Sequence, residues 1–298
     1  MPNAKRPVYL KALFVLCAVL FAGSALFCVL SAACKFFVLD TEQIASQIVT
    51  DEYLAQVKKS AEKRLWQESP YYGIPEEVLY RGLDEELLRS GSVVGAKNAL
   101  DLIWGIGGET RAEYPVKPFA DELRAYFETL IESGELVELN ETALEQISEE
   151  CAYLTESYLN PISKNLAKLV FENARVQKLT RLCTALGGAF WIALGATVLT
   201  LIFTLLLAPK GASERFFAVS SPFFCASSFF FAPVVLVLQS ADLSTLVLEE
   251  SVLKSLLLGA FSASRAPVCL VAYVWFALAA VLLIASIILK SREKRIVG

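Results

Sequence analysis

Histidine is missing from all 298 residues, and methionine occurs once. Without imidazole there is no histidine general base, no histidine metal ligand, and no side chain whose ordinary pKa makes it a switch near neutrality. Seven cysteines are present, but no CxxC pair. Cys17, Cys28, Cys34, Cys225 and Cys269 lie within apolar stretches or at their edges, Cys183 opens another, and only Cys151 lies in a polar region. A disulfide framework is therefore not expected, because the one large polar segment offers a single thiol.

Charge is also scarce: 19% of residues are charged against 55% apolar. Four stretches contain no Asp, Glu, Lys or Arg, namely Ala12 to Cys34, Cys183 to Pro209, Phe216 to Ser240 and Ala266 to Leu289. Each exceeds the roughly 20 residues that a helix needs to cross a ~30 Å hydrocarbon layer. A central Lys or Asp costs about 2.5–3.5 kcal/mol on insertion scales, and each large aliphatic residue gains a few tenths. The pattern predicts an all-α protein with four transmembrane helices and an all-helical extracytoplasmic domain between the first and second spans. The boundaries it sets are a cytoplasmic N-terminus 1–11, spans 12–34, 183–207, 216–239 and 266–289, and an outer domain 36–180. A cytoplasmic loop 208–215, an outer amphipathic loop 240–265 and a cytoplasmic tail 290–298 complete the division.

The start of the chain has Lys5, Arg6 and Lys11 before a long apolar run. That run exceeds the 7–15 residues usual for a cleaved signal peptide. Ser31-Ala32-Ala33 before Cys34 is faintly similar to a lipoprotein cleavage site, yet Ser31 stands where a large aliphatic residue belongs. An uncleaved first span is the expectation.

Orientation follows from the short basic ends. Segments 1–11, 210–215 and 290–298 hold Lys5, Arg6, Lys11, Lys210, Arg215, Lys290, Arg292, Lys294 and Arg295 against only Glu214 and Glu293. Segment 36–180 carries a net charge of about −12. The positive-inside rule then places both termini in the cytoplasm of a cell (plasma) membrane protein, with 36–180 and 241–265 outside.

Within 36–180 the apolar spacing is helical. Asp40-Thr41 opens a helix running to Trp66, Ser69 to Gly73 forms a turn, and Pro75 begins the next helix with Glu76 and Glu77 near its positive end. A helix from about Ser92 to Trp104 ends at Gly105-Ile106-Gly107-Gly108, and Pro118 starts another that ends by Gly134. Thr142 and Glu145 fit a capping box for the last helix, which continues past Asn160-Pro161 into the second span. An unbroken helix from Ile162 to Leu207 would join outer domain and membrane as a stiff rod, and the first span may be continued the same way. Economical folding is the plainer account.

No catalytic, cofactor-binding or metal-binding constellation emerges. The glycines at 105–108 lack a phosphate-binding pattern. Acidic pairs such as Asp51/Glu52, Glu76/Glu77, Asp84/Glu85/Glu86, Asp121/Glu122 and Glu149/Glu150 match no calcium loop and fit solvated helix faces. The aromatics Trp66, Tyr71, Tyr72, Trp104, Tyr114, Tyr126 and Phe127 fit a domain core, and Trp66, Tyr71, Tyr72 and Trp104 are the candidates for a ligand groove. Asn140-Glu141-Thr142 matches a glycosylation sequon. In the third span, Ala218, Ser221, Cys225, Ser228 and Ala232 form a small-residue stripe that suits close helix packing, or a pore lining as the sharper alternative. Pro222 and Pro233 are expected to bend that span, and Ala185, Ala189 and Ala193 form a second small stripe. Leu243, Leu246, Val247, Glu250, Leu253, Lys254, Leu256 and Leu257 read as an amphipathic helix lying along the outer interface or against the outer domain, with a partly re-entrant segment as the alternative.

The spans hold no ionisable carboxylate or base, which disfavours ion-coupled transport and intramembrane hydrolysis. The reading is a non-enzymatic membrane protein whose outer helical domain binds a partner or ligand as sensor, scaffold or anchor. Its partners are the lipid bilayer and a protein partner or a second copy, not nucleic acid. A passive channel is an alternative. One span, a large outer domain, then three spans with both termini inside is an order that resembles FtsX-like and MacB-like proteins of bacterial ABC systems. It is also similar in general style to multi-pass proteins of Gram-positive bacteria. The first resemblance implies a transmembrane subunit of an export or cell-wall-regulating complex, driven by a separate ATPase.

Overall fold

The computed structural model describes residues 7–106, 111–160, 174–208, 211–240 and 251–297. Among these residues there is no strand, as the all-α expectation requires. In chain order the helices are α1 (Val8–Ala33), α2 (Thr41–Ile48), α3 (Asp51–Tyr72), α4 (Glu76–Arg81), α5 (Glu85–Trp104) and α6 (Lys117–Glu132). They continue with α7 (Glu141–Leu159), α8 (Ala174–Gly188), α9 (Phe190–Leu207), α10 (Ala212–Ser240) and α11 (Ser251–Val297). A π-helical turn, Cys34–Val38, extends α1. Two compact units result: an apolar one of Met1–Asp40, Leu182–Asp242 and Ser264–Gly298, and a polar one of Thr41–Arg181 and Leu243–Ala263.

The polar unit departs from the expected boundaries for local reasons. The helix expected from Asp40 to Trp66 is two helices, because Thr50 leaves helical geometry and its hydroxyl accepts the Tyr53 amide, with Asp51 and Glu52 in the new first turn. The expected turn at Ser69–Gly73 is helical through Tyr72. Pro70 is tolerated there because a proline in the last turn frees only one carbonyl, and Gly73 at φ 65° then ends the helix. Pro75 precedes α4 as its cap residue. Helix α5 starts at Glu85 rather than Ser92, since the Asp84 carboxylate accepts the Leu87 amide at 2.9 Å. Asn140, not a Thr142–Glu145 box, caps α7: its side-chain oxygen accepts the Ala143 amide at 3.1 Å. The ends of α5 at Gly105 and α6 near Gly134 fall where glycine predicts them, both at positive φ.

Leu65, Leu79, Leu88, Phe119, Leu123 and Leu159 are fully buried at the centre of the polar unit. Tyr114 is buried beside Phe119, their rings 5.6 Å apart. Its hydroxyl donates to the Gly82 carbonyl at 2.8 Å and accepts the Asp84 amide at 2.7 Å, joining the α4–α5 corner to the strap before α6. Asn160 fastens the same strap to α7. It donates to the Ala112 carbonyl at 2.7 Å and accepts the Ala112 amide at 2.8 Å, while Glu156 accepts the Tyr114 amide at 3.1 Å. Ala260 and Ala263 pack against this core, and Gly259 faces Ile48, so the end of the 241–265 segment lies against the polar unit, the second of its two expected positions. It is helical from Ser251 and continuous with the fourth apolar stretch in α11.

The apolar unit is a bundle whose contacts fix each helix's direction. Between α1 and α9, Ser24 meets Thr200 with hydroxyl oxygens 2.9 Å apart, Cys28 pairs with Thr197, and Phe36 packs on Phe190 at 5.2 Å. Numbers rise on one helix as they fall on the other, so the pair is antiparallel. Helix α10 runs parallel to α1: Phe21 and Ala25 cluster with Ala226, and Val29 and Ala33 with Phe230 and Val235. Helix α11 is antiparallel to α10, with Ser213 bonded to Glu293, Ser220 to Ser286 at 3.0 Å, and Phe231 packed on Tyr273 at 5.3 Å. The order is up, down, up, down.

Two expectations about continuity need separate statements. The first span does not continue into the next helix, because the backbone leaves helical structure between the π turn and Thr41. The expected rod from Ile162 to Leu207 lies partly outside the described residues. Within them, α8 and α9 are separated at Ala189, where ψ is −1°.

Candidate functional site

The bundle holds a crevice of about 310 Å³ at the end where α1 starts. Phe14 and Ala18 of α1, Glu214, Phe217, Ala218, Ser221 and Pro222 of α10, and Lys290 of α11 line it. It therefore joins the beginning of the first span, the beginning of the third and the end of the fourth. The Lys290 ammonium sits 4.5 Å from the centre of the Phe217 ring, a cation–π contact that holds the charge at the apolar edge. Pro222 brings no amide to the helix and so cannot donate to the Ala218 carbonyl four residues back, and Ser221 stands in the same lining. One cation, one carboxylate and one hydroxyl on apolar walls suit the polar end of an amphiphile. They provide no activated nucleophile.

The opposite end carries a second cluster. Lys35 lies over Trp191 at 4.9 Å and over Phe190 at 5.5 Å. A long basic side chain with Trp beside it is the usual composition where a helix leaves hydrocarbon for the interface.

The small-residue stripe of the third span divides. Ala218 and Ser221 line the crevice, Ser228 is half-buried, and Cys225 and Ala232 are exposed. Of the stripe only Ala218 is among the buried residues of α10, which are otherwise Ser213, Ser220, Ala226, Ser227, Phe230 and Val235. Periodicity located a small face but not its neighbour, since Ser220 is selected by Ser286, far away in sequence. The second stripe behaves similarly: Ala193 is buried, Ala185 is exposed, and Gly187 makes the close approach. The four groove candidates of the polar unit also separate. Tyr72 and Trp104 pack against the core, whereas Trp66 is 56% exposed and Tyr71 82% exposed.

Sequence reasoning placed Glu76 and Glu77 near the positive end of a helix but missed the same role for the other acidic clusters, and it missed one buried carboxylate. Asp51/Glu52, Glu76/Glu77 and Asp84/Glu85/Glu86 stand at helix N-termini, where the helix dipole and free amides favour negative charge. Asp101 is buried, accepts the Thr41 hydroxyl at 2.5 Å and pairs with Lys97 at 2.8 Å. That hydrogen bond raises the Lys97 pKa above its ordinary value. Burial pushes the Cys151 thiol up to about 12, with Glu150 and Glu68 adding to the effect, so this thiol stays protonated and unreactive. Among the described residues no three His, Cys, Asp or Glu side chains converge on a metal-sized point.

Four helices are long and apolar enough to cross a bilayer: Val8–Val38, Phe190–Leu207, Ala212–Leu236 and Leu258–Glu293. With their alternating directions they define a multi-pass, helical membrane protein. No family model, curated protein or solved structure matches the chain.

Proposed function

We propose that this is a non-catalytic protein of the cell membrane whose acidic helical domain, outside the cytoplasm, binds a partner or ligand while the bundle anchors it. The observation that carries the reading is the alternating order of the four helices. It brings the linkers between spans one and two and between spans three and four out of the same end of the bundle. The polar unit is drawn from those same two stretches of the chain, and residues 259–263 of the second pack on its core. Both termini then share the other end with the 208–215 loop, where the basic residues concentrate, which supports a cytoplasmic assignment for that end.

Trp66 and Tyr71 supply the contact chemistry. They stand exposed on the last turns of α3, on a unit whose core closes without them, and its net negative charge favours a partner with a basic rim. Position 137, between α6 and α7, is 95% exposed and serves as a reporter. A Val137→Cys variant in intact cells is expected to react with a membrane-impermeant maleimide. A photo-crosslinker at position 71 is expected to capture a discrete species. Protection of position 137 until the membrane is opened would refute the orientation, and Trp66→Ala with unchanged crosslinking would refute the contact surface.

A further inference from the structure

We propose that Cys34 and Cys183 form an intrachain disulfide, a covalent clamp at the outer end of the bundle. The two thiols are hydrogen-bonded to each other across the junction of the π turn and α8, although they flank the polar unit in sequence. Both are half-buried, so an oxidant can reach them. The backbones are held close on the same face. One turn beyond Cys183 lies Gly187, where an added Cβ would stand 3.6 Å from the Lys35 Cα and 2.5 Å from the Leu39 Cδ1. Phe36 against Phe190 and Lys35 over Trp191 fix the register on either side. A disulfide needs two β-carbons on closely approaching backbones, and the thiol contact together with the close approach at Gly187 places this pair where one can form. Elsewhere, Cys28 pairs with Thr197, and Cys151 is buried in the polar core.

The chemistry is thiol–disulfide exchange with a dithiol oxidant carrying its own disulfide, R–S–S–R. One cysteine, as thiolate, attacks a sulfur of the oxidant and expels one R–S⁻. The second then attacks the mixed disulfide and expels the other. Overall, two Cys–SH and one R–S–S–R give one Cys–S–S–Cys and two R–SH, the protons leaving with the reduced oxidant. The bond closes a covalent ring that contains the whole segment between the two cysteines. The inference rests on the orientation proposed above, because such oxidants operate outside the cytoplasm.

The test inserts a specific protease site at the exposed connection around Val137 in the full chain. Membranes are taken directly from cells with thiols blocked on lysis, then cut and run without reductant. The two fragments are expected to migrate as one band, to separate with dithiothreitol, and to separate without it in Cys34→Ser and in Cys183→Ser. Fragments that separate without reductant overturn the proposal. Two further readings then identify the cause. If oxidation with copper–phenanthroline links the fragments and Val137→Cys is closed to the impermeant maleimide, the orientation was wrong and the thiol geometry right. If copper leaves them unlinked, the thiol geometry itself was wrong.

Discussion

Gly95 of α5 lies directly under the backbone carbonyl of Leu159, so close that a Cβ at Gly95 would stand 1.8 Å from that oxygen. One turn earlier, a Cβ added at Gly91 would stand 2.7 Å from the Leu159 Cδ1. Two glycines that lower helix propensity are retained where α5 must approach the end of α7. Gly95→Ala cannot be absorbed by rotating a side chain, since the obstacle is backbone. It is expected to destabilise the polar unit by about 3 kcal/mol or more, read as earlier thermal unfolding of the full chain in detergent and faster proteolysis around 111–160. Gly188→Ala, at a position with open space around it, serves as the neutral control.

Asn160 holds the strap before α6 through both the amide and the carbonyl of Ala112. Asn160→Asp keeps the shape but turns the donor toward two carbonyls, those of Ala112 and Glu156, into a charged acceptor. The expected loss is about 1–3 kcal/mol, with amide hydrogen exchange at Ala112 and Tyr114 accelerating more than in the centre of α3. Equal acceleration throughout the unit would mean that the clip has no local role.

Burial raises the Tyr114 phenol from 10.0 to about 12, so the fold favours its protonated form. That contribution is intact below pH 10 and is lost as pH climbs from 10 toward 12, where the unfolded chain binds fewer protons than the folded one. Tyr72 is shifted in the same sense, also to about 12 and again mainly by burial. Stability of the polar unit is therefore expected to fall across that window. Tyr114→Phe should lower stability at pH 7 by leaving the Gly82 carbonyl and Asp84 amide without their partner, and should flatten part of the alkaline decline. Ultraviolet titration of phenolate absorbance checks the late ionisation.

Segment 41–181 alone is expected to be helical by circular dichroism but less stable than a version carrying 243–263 on a flexible linker. Ala260, Ala263 and Gly259 cover part of its core. A few degrees in Tm is the expected gap, corresponding to about 1–2 kcal/mol for a domain of this size. Equal melting temperatures would show that 243–263 adds nothing.

Much of the fold could be read along the chain because its signals are local. A span is a matter of length and missing charge, and helix stops at Gly105 and Gly134 follow from single residues able to take positive φ. Helix starts were harder. Thr50, Asp84 and Asn140 compete with nearby caps of similar chemistry, and the choice depends on which amide the side chain reaches. The groove candidates failed to stay together for a different reason: Trp66 and Tyr72 lie on one helix, but only the core beneath decides which of them it covers.

By itself the sequence determined that four stretches are long and apolar enough to enter lipid, that the polar part is helical, and that the short segments are basic while the long one is acidic. These are properties of composition and short-range spacing, and they hold wherever the helices lie. Only tertiary structure decided that Ser24 meets Thr200, that residues 259–263 cover part of the polar core, and that Cys34 lies against Cys183. Inside lipid every apolar face is nearly equivalent in free energy, so neighbours are selected by close backbone approach and a few hydrogen bonds between residues far apart in the chain. No one-dimensional pattern carries that choice.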